Sequence, residues 1–246
     1  MSDDRYGRGT SPLRRRSIQP SPILVAHGTR KASGVAMIGE LADRVSVLLG
    51  ARVRVAFVDV VGPTPSEVLA SLDSAPAVLV PAFLSSGYHV RKDIPEEVAA
   101  SGHPDVTVTQ ALGPCPQMVR VISDRLVEAG WRHGDSVIMT AAGTSDRHAQ
   151  RDLRVTATLL SAAIGTRVEL AYAATGEPRV ADAVATAREL GARRVVVASY
   201  LLADGLFQDR LRYSGADVVT EPLGLHPGTA RLIANRFRRA RVAVAA

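Results

Sequence analysis

The chain alternates short apolar runs with longer stretches in which apolar residues recur every three or four positions. The first kind reads as buried strands and the second as amphipathic helices. Strands are predicted at Ile23–Ala26, Val53–Val58, Ala77–Pro81 and Val106–Gln110. Helices are predicted at Gly34–Leu49, Pro65–Leu72, Ile94–Ala100 and Pro116–Ala129. Strand followed by helix, repeated, implies parallel strands with helices on both faces.

The pattern then starts again. Ser136–Thr140, Val168–Ala171, Val195–Ala198 and Val218–Thr220 read as strands, with helices over Ala149–Ala163, Val180–Leu190 and Thr229–Arg239. Three short motifs also return in the same order. Ala26-His27-Gly28-Thr29 returns as Ala141-Ala142-Gly143-Thr144, and Leu84-Ser85-Ser86-Gly87 as Leu202-Ala203-Asp204-Gly205. Leu112-Gly113-Pro114-Cys115-Pro116 returns as Leu223-Gly224-Leu225-His226-Pro227. Offsets of 115, 118 and 111 residues point to duplication of a domain of about 110 residues. The expected organisation is a disordered basic tail over residues 1–21, a first α/β domain over 22–131 and a second over 132–246, joined near Trp131–Asp135.

Composition narrows this picture. With 246 residues, 46% of them hydrophobic, the chain has ample material for a core. It contains no run of about 20 apolar residues, so no membrane span is expected, and the cytoplasm is the expected compartment. Cys115 is the single cysteine, which excludes an intrachain disulfide and any multi-cysteine metal site within the chain. The net charge of +6 is carried by the ends: residues 1–22 hold five arginines against Asp3 and Asp4, and residues 229–246 hold five arginines and no acid. The stretch between is slightly acidic. With only 4% aromatic residues to stack on bases, nucleic-acid binding is not expected.

Candidate chemistry collects at strand ends. In open α/β sheets ligands bind beyond the carboxyl ends of the strands. His27 and His89 both follow strands of the first domain, and Asp59 follows a third. A lone histidine in such a place is more often structural. Two imidazoles and a carboxylate at one edge make a site with open coordination positions, suited to Fe2+, Co2+, Ni2+ or Zn2+. The second domain has Ala142 and Phe207 where the first has His27 and His89, so the fold does not require the histidines. Thr29, Arg30 and Lys31 follow the first histidine; Ser85, Ser86 and Gly87 precede the second, and Arg91 and Lys92 follow it. These surroundings suit an anionic ligand. Asp93 reads as a cap for the helix at Ile94, Cys115 as filler, and His226 has no assigned role. No dinucleotide, nucleotide-triphosphate or nucleophile-elbow motif is found.

Val25-Ala26-His27-Gly28-Thr29-Arg30, Phe57-Val58-Asp59 and Phe83-Leu84-Ser85-Ser86-Gly87-Tyr88-His89-Val90-Arg91-Lys92-Asp93-Ile94-Pro95 resemble the sirohydrochlorin chelatases of the CbiX and SirB type, class II tetrapyrrole chelatases. The resemblance spans about residues 22 to 239 as two fused domains. It implies tandem flavodoxin-like chelatase domains, with a tetrapyrrole substrate in the cleft between the halves and no use of ATP. The family's two histidines map onto His27 and His89. Its acidic residue, usually a glutamate, maps onto Asp59, one methylene shorter. The expected function is therefore insertion of Fe2+ or Co2+, with Ni2+ also conceivable, into sirohydrochlorin on the way to sirohaem or a cobalamin-type product. His27 and His89 would hold the metal and supply a base. Thr29, Arg30, Ser85, Ser86, Gly87, Arg91 and Lys92 would meet the substrate. The metal is a substrate, no organic cofactor is expected, and the chain would act as a monomeric pseudo-dimer or a homodimer. The alternative is a metal-delivery or tetrapyrrole-binding protein without turnover. Phosphoryl transfer at a nucleophilic histidine ranks lowest, because Ala26 stands where that chemistry has an arginine.

Overall fold

The computed structural model describes residues 19–72 and 74–244, so the predicted basic tail lies, for residues 1–18, outside the described residues. Among the described residues eight strands and eight α-helices follow in order. The first half contains β1 (Ser21–Ala26), α1 (Ala32–Leu49), β2 (Arg54–Phe57), α2 (Pro65–Ala70), β3 (Ala77–Pro81), α3 (Ile94–Ser101), β4 (Val106–Val108) and α4 (Pro116–Glu128). A single π-helical turn, His89–Asp93, leads into α3. The second half contains β5 (Ser136–Gly143), α5 (Arg147–Ile164), β6 (Val168–Thr175), α6 (Val180–Glu189), β7 (Val195–Tyr200), α7 (Leu206–Arg212), β8 (Val218–Val219) and α8 (Pro227–Val244).

Each half forms a four-stranded parallel sheet. The orders, β2-β1-β3-β4 and β6-β5-β7-β8, are the same topology twice. The repetition extends to single hydrogen bonds: Ser46 Oγ accepts from Val53 N–H, and 115 positions later Ser161 Oγ accepts from Val168 N–H. Gly28 (φ 95°) and Gly143 (φ 100°) take left-handed backbone at the same place in each half. A Cβ on Gly28 would collide with the Asp59 carbonyl, and one on Gly143 with the Thr175 carbonyl, so both positions demand glycine.

β1 is buried on both faces, as a central parallel strand must be. Its Ile23 and Val25 pack outward with Val68, Leu69 and Ile94 of α2 and α3. Its Leu24 and Ala26 pack inward into a core that contains residues of both halves, Ile38 and Leu41 alongside Leu153, Leu160 and Phe237. That shared core is built by an exchange. α4, from the first half, packs on α5 and β7 of the second; α8, from the second half, packs on α1 and β3 of the first. The layers therefore run α2/α3, first sheet, crossed helices, second sheet, α6/α7.

The strands fall where their apolar runs lie, with shifted ends: β2 stops at Phe57, so Asp59 sits two residues into a loop, and β4 is two residues shorter than expected. α7 was not expected from the sequence. Seven residues carry barely two turns of period, and its Leu206 is 62% exposed, so no apolar stripe marks it. No helix among the described residues is long and apolar enough to cross a membrane.

Candidate metal-binding site

His27 sits immediately beyond β1, and His89 begins the π turn after β3, so neighbouring strands deliver both to the carboxyl edge of the first sheet. Their rings lie edge to face with centroids 4.6 Å apart. Phe83 and Tyr88 stand beside His89, with ring centroids 5.9 and 6.3 Å away. His27 is exposed and His89 half-buried, so both can be reached from solvent.

Each imidazole has its Nδ1 engaged. His89 Nδ1 meets Asp93 Oδ2 at 2.5 Å, and His27 Nδ1 meets the Gly28 carbonyl at 3.1 Å. A carboxylate or a carbonyl accepts only, so Nδ1 donates in each contact, and in the neutral ring Nε2 carries the lone pair. Two Nε2 atoms on rings this close can serve one ion, whose bond to imidazole nitrogen is about 2.1 Å.

Asp93 is therefore not the cap expected from the sequence. Its backbone is helical, its side chain makes no capping bond, and it turns instead to His89 four residues back. Five residues of π helix place the two side chains on one face.

Asp59 lies close to His27 by its backbone alone: its N–H donates to the His27 carbonyl at 3.0 Å. Its side chain turns back to accept from Val60 N–H at 2.7 Å and is exposed. That bond goes with a left-handed Val60 (φ 70°), costly for a β-branched residue. Among the described residues no group of three or more His, Cys, Asp or Glu side chains is arranged to hold an ion. The structure brings the two histidines together and leaves Asp59 outside the pair.

The expected anion-binding residues divide. Arg30 and Lys92 are exposed, Lys92 lying 5.3 Å from the Tyr88 ring centroid and 3.9 Å from Glu96. Arg91 and Lys31 are instead spent on the other half. Arg91 pairs with Asp146 at 2.8 Å; Lys31 pairs with Asp209 at 2.9 Å and lies 3.6 Å from Asp204. Burial alone would push Asp146 up, but the amides of His148 and Ala149 and the Arg91 guanidinium outweigh it and hold the carboxyl below its usual range. The hydrogen bond from Lys31 does the same for Asp209. Thr29 Oγ1 accepts from Lys31 N–H at 3.2 Å and shapes its loop. Ser86 N–H donates to Asp152 Oδ2 at 2.8 Å, Gly87 packs near Ala149 of α5, and Ser85 is half-buried beside them.

Sequence reasoning missed Asp93 as the partner of His89, although the i,i+4 spacing of a histidine and a carboxylate was visible. It also missed the second half's contribution: the Tyr200 hydroxyl donates to the Leu84 carbonyl at 2.9 Å from a fully buried position, and burial pushes that phenol up, keeping it protonated.

Comparison with known proteins follows the same two-part outline. The family model CbiX matches residues 21–129 and again 136–240. Sirohydrochlorin ferrochelatase of Priestia megaterium is 25% identical over 235 residues, covering 88% of each chain. Sirohydrochlorin cobaltochelatase of Methanothermobacter thermautotrophicus is 27% identical over 129 residues, 44% of this chain and 90% of that one. Among solved structures, SirB from Bacillus subtilis with Fe3+ superposes with a TM-score of 0.78 at 18% identity, covering 92% of this chain and 97% of that one. CbiX, described as the terminal enzyme for siroheme biosynthesis in denitrifying bacteria, gives 0.68 at 22% identity, covering 89% and 99%. At these identities the two structures speak for the fold.

Proposed function

The chain belongs to the CbiX family of chelatases, and from that premise we propose that it inserts Fe2+ or Co2+ into sirohydrochlorin without ATP, using His27 and His89. The observation that carries this reading is the histidine pair itself: two rings at one sheet edge, 4.6 Å apart, each with Nδ1 engaged and Nε2 free. Two neutral nitrogen donors bind a divalent ion but leave most of its coordination sphere open. That suits an ion which must next be handed to four macrocycle nitrogens.

Insertion removes two protons from the macrocycle. The Nε2 lone pairs of His27 and His89 can each accept one of them as the metal leaves those same positions. The substrate's carboxylates are matched by the exposed Arg30 and Lys92. Arg91 and Lys31 are committed to the second half, so a role for them in holding substrate requires opening an ion pair. The Asp59 carboxylate accepts from Val60 N–H, which supports reading the histidine pair as the metal-holding group.

Anaerobic mixing of protein, sirohydrochlorin and Fe2+, Co2+ or Ni2+ tests this through the visible spectrum of the macrocycle. The initial rate should exceed the blank and fall about 100-fold or more in the His27→Ala, His89→Ala double variant. A double variant as fast as wild type would overturn the site. One spectral event per chain without further turnover would make the protein a carrier.

A further inference from the structure

His89 stands at the end of a loop, Phe83–Tyr88, that the first half holds weakly. Within its own half, among the described residues, the backbone of this loop is held at its two ends only: Leu112 N–H donates to the Phe83 carbonyl at 2.8 Å, and the Gly87 carbonyl accepts from Val90 and Arg91 N–H at 3.2 and 3.1 Å. Between those ends, at Leu84 and Ser86, the fixings come from the second half, which also pairs with Arg91 beyond the loop. The buried Tyr200 hydroxyl donates to Leu84 O at 2.9 Å, Asp152 Oδ2 accepts from Ser86 N–H at 2.8 Å, and Asp146 pairs with Arg91 at 2.8 Å on the far side of His89.

The internal repeat shows which of these fixings is specific to the histidine loop. The register of β1 with β3 and of β5 with β7 makes Tyr200 the counterpart of Ala82 and Asp152 the counterpart of Met37. Ala82 and Met37 cannot make the equivalent bonds to the second half's own loop at Leu202–Gly205. Fixing by Tyr200 and Asp152 runs one way, from the half without histidines to the loop that carries one. The Arg91–Asp146 pair, in contrast, has a counterpart in Asp209–Lys31 and so belongs to the general clasp between the halves.

We propose that the second half acts as the positioning element of the metal site, with Asp152 and Tyr200 fixing the Leu84–Ser86 backbone so that His89 meets His27. This deepens the reading of His27 and His89 as the metal-holding pair and rests on it. Two hydrogen bonds placed three and five residues before a ligand act on its direction. A ligand whose supporting bonds are lost binds metal about 10- to 100-fold more weakly. The charge of Asp152 is not required, only its oxygen, so an amide in its place should serve.

The test titrates Co2+ alone into the full chain and follows its visible absorption, with His89→Ala identifying the histidine-dependent band. Asp152→Ala and Tyr200→Phe should each raise the Co2+ dissociation constant about tenfold. Asp152→Asn should restore it, because the amide oxygen still accepts from Ser86 N–H. Asp209→Asn, which loosens the clasp without touching the histidine loop, should leave Co2+ binding unchanged. Hydrogen exchange gives a readout independent of metal: the Ser86 amide should lose protection in Asp152→Ala and keep it in Asp209→Asn. A Co2+ band that His89→Ala leaves intact would overturn the metal-site reading and with it the positioning role. A histidine-dependent band unchanged in Asp152→Ala, or equal weakening in Asp209→Asn, would overturn positioning alone.

Discussion

The two halves fold the same way and carry different chemistry. Both sheets have the order 2-1-3-4, both first strands end in a Gly-Thr turn with a left-handed glycine, and both send their fourth helix across to the other half. Where the first half has His27, His89 and Asp93, the second has Ala142, Phe207 and the buried Leu211. Since the second half reaches the same backbone without them, the three residues are not there to make the fold. The contact between halves repeats with its polarity reversed: Arg91 meets Asp146, and the matching pair is Asp209 with Lys31. Two first halves brought together in this way would set Arg91 against Lys31, and two second halves Asp209 against Asp146. Each half is thus matched to the other and mismatched to itself.

Making the first half more like the second sharpens the contrast most. Asp93→Ala should cost about tenfold in kcat/KM for metal insertion, while Asp93→Asn, which still accepts from Nδ1–H, keeps most of the rate. Equal losses in both would mean that Asp93 acts by charge and not by direction. The reverse exchange, Ala142→His with Phe207→His, should give a second Co2+ equivalent in titration. It should bind about tenfold more weakly, because Leu211 stands where the orienting carboxylate would be. Stoichiometry unchanged from wild type would show that the two loops differ by more than their side chains.

A third difference is His226, buried where the first half has Cys115. Its Nδ1 accepts from Gly228 N–H at 3.1 Å, and burial, aided by Arg125 and Arg231, holds it below the ordinary histidine value against the pull of Glu128 and Asp124. A base whose folded value is lowered leaves stability intact above its unfolded value of about 6.5 and subtracts from it as pH falls below. Denaturation midpoints should drop from pH 7 to 5.5 in wild type, and less in His226→Cys. The smallest effect belongs to the clasp. Arg91→Glu sets like charges against Asp146, but Arg91 is half exposed, so the loss should stay under about 1 kcal/mol and shrink in salt. Asp146 and Asp209 are both lowered, so their share of stability is complete above about pH 4 and is lost as pH falls through their folded values.

Strands, repeat and histidine pair were legible because each is written locally: Ile23–Ala26 is an unbroken apolar run, His27 directly follows it, and His89 lies in the loop segment after β3. Parallel order then brings distant residues to one edge without further information. What was not legible depends on a partner that periodicity does not name. Arg91 and Lys31 read as substrate-facing charges because their acids lie 55 and 178 positions away. Asp59 read as a ligand because strand ends converge, and the bond its carboxylate accepts from Val60 N–H is made by a loop turn that no pattern announces. Asp93 read as a cap because a carboxylate before Ile94-Pro95 usually is one, and the π turn that re-aims it leaves no trace in an apolar pattern.

The crossing of α4 and α8 has a consequence in time. β1 and β3 emerge early in synthesis, and α1 can cover part of their sheet's inner face, yet the β3 side waits for α8, well over a hundred residues later. Until then the histidines have a chain but no finished platform. A ribosome-bound chain stalled before Pro227 should expose the β3 side of the first sheet to a hydrophobic dye and bind Co2+ more weakly than the finished chain, whose release completes the core.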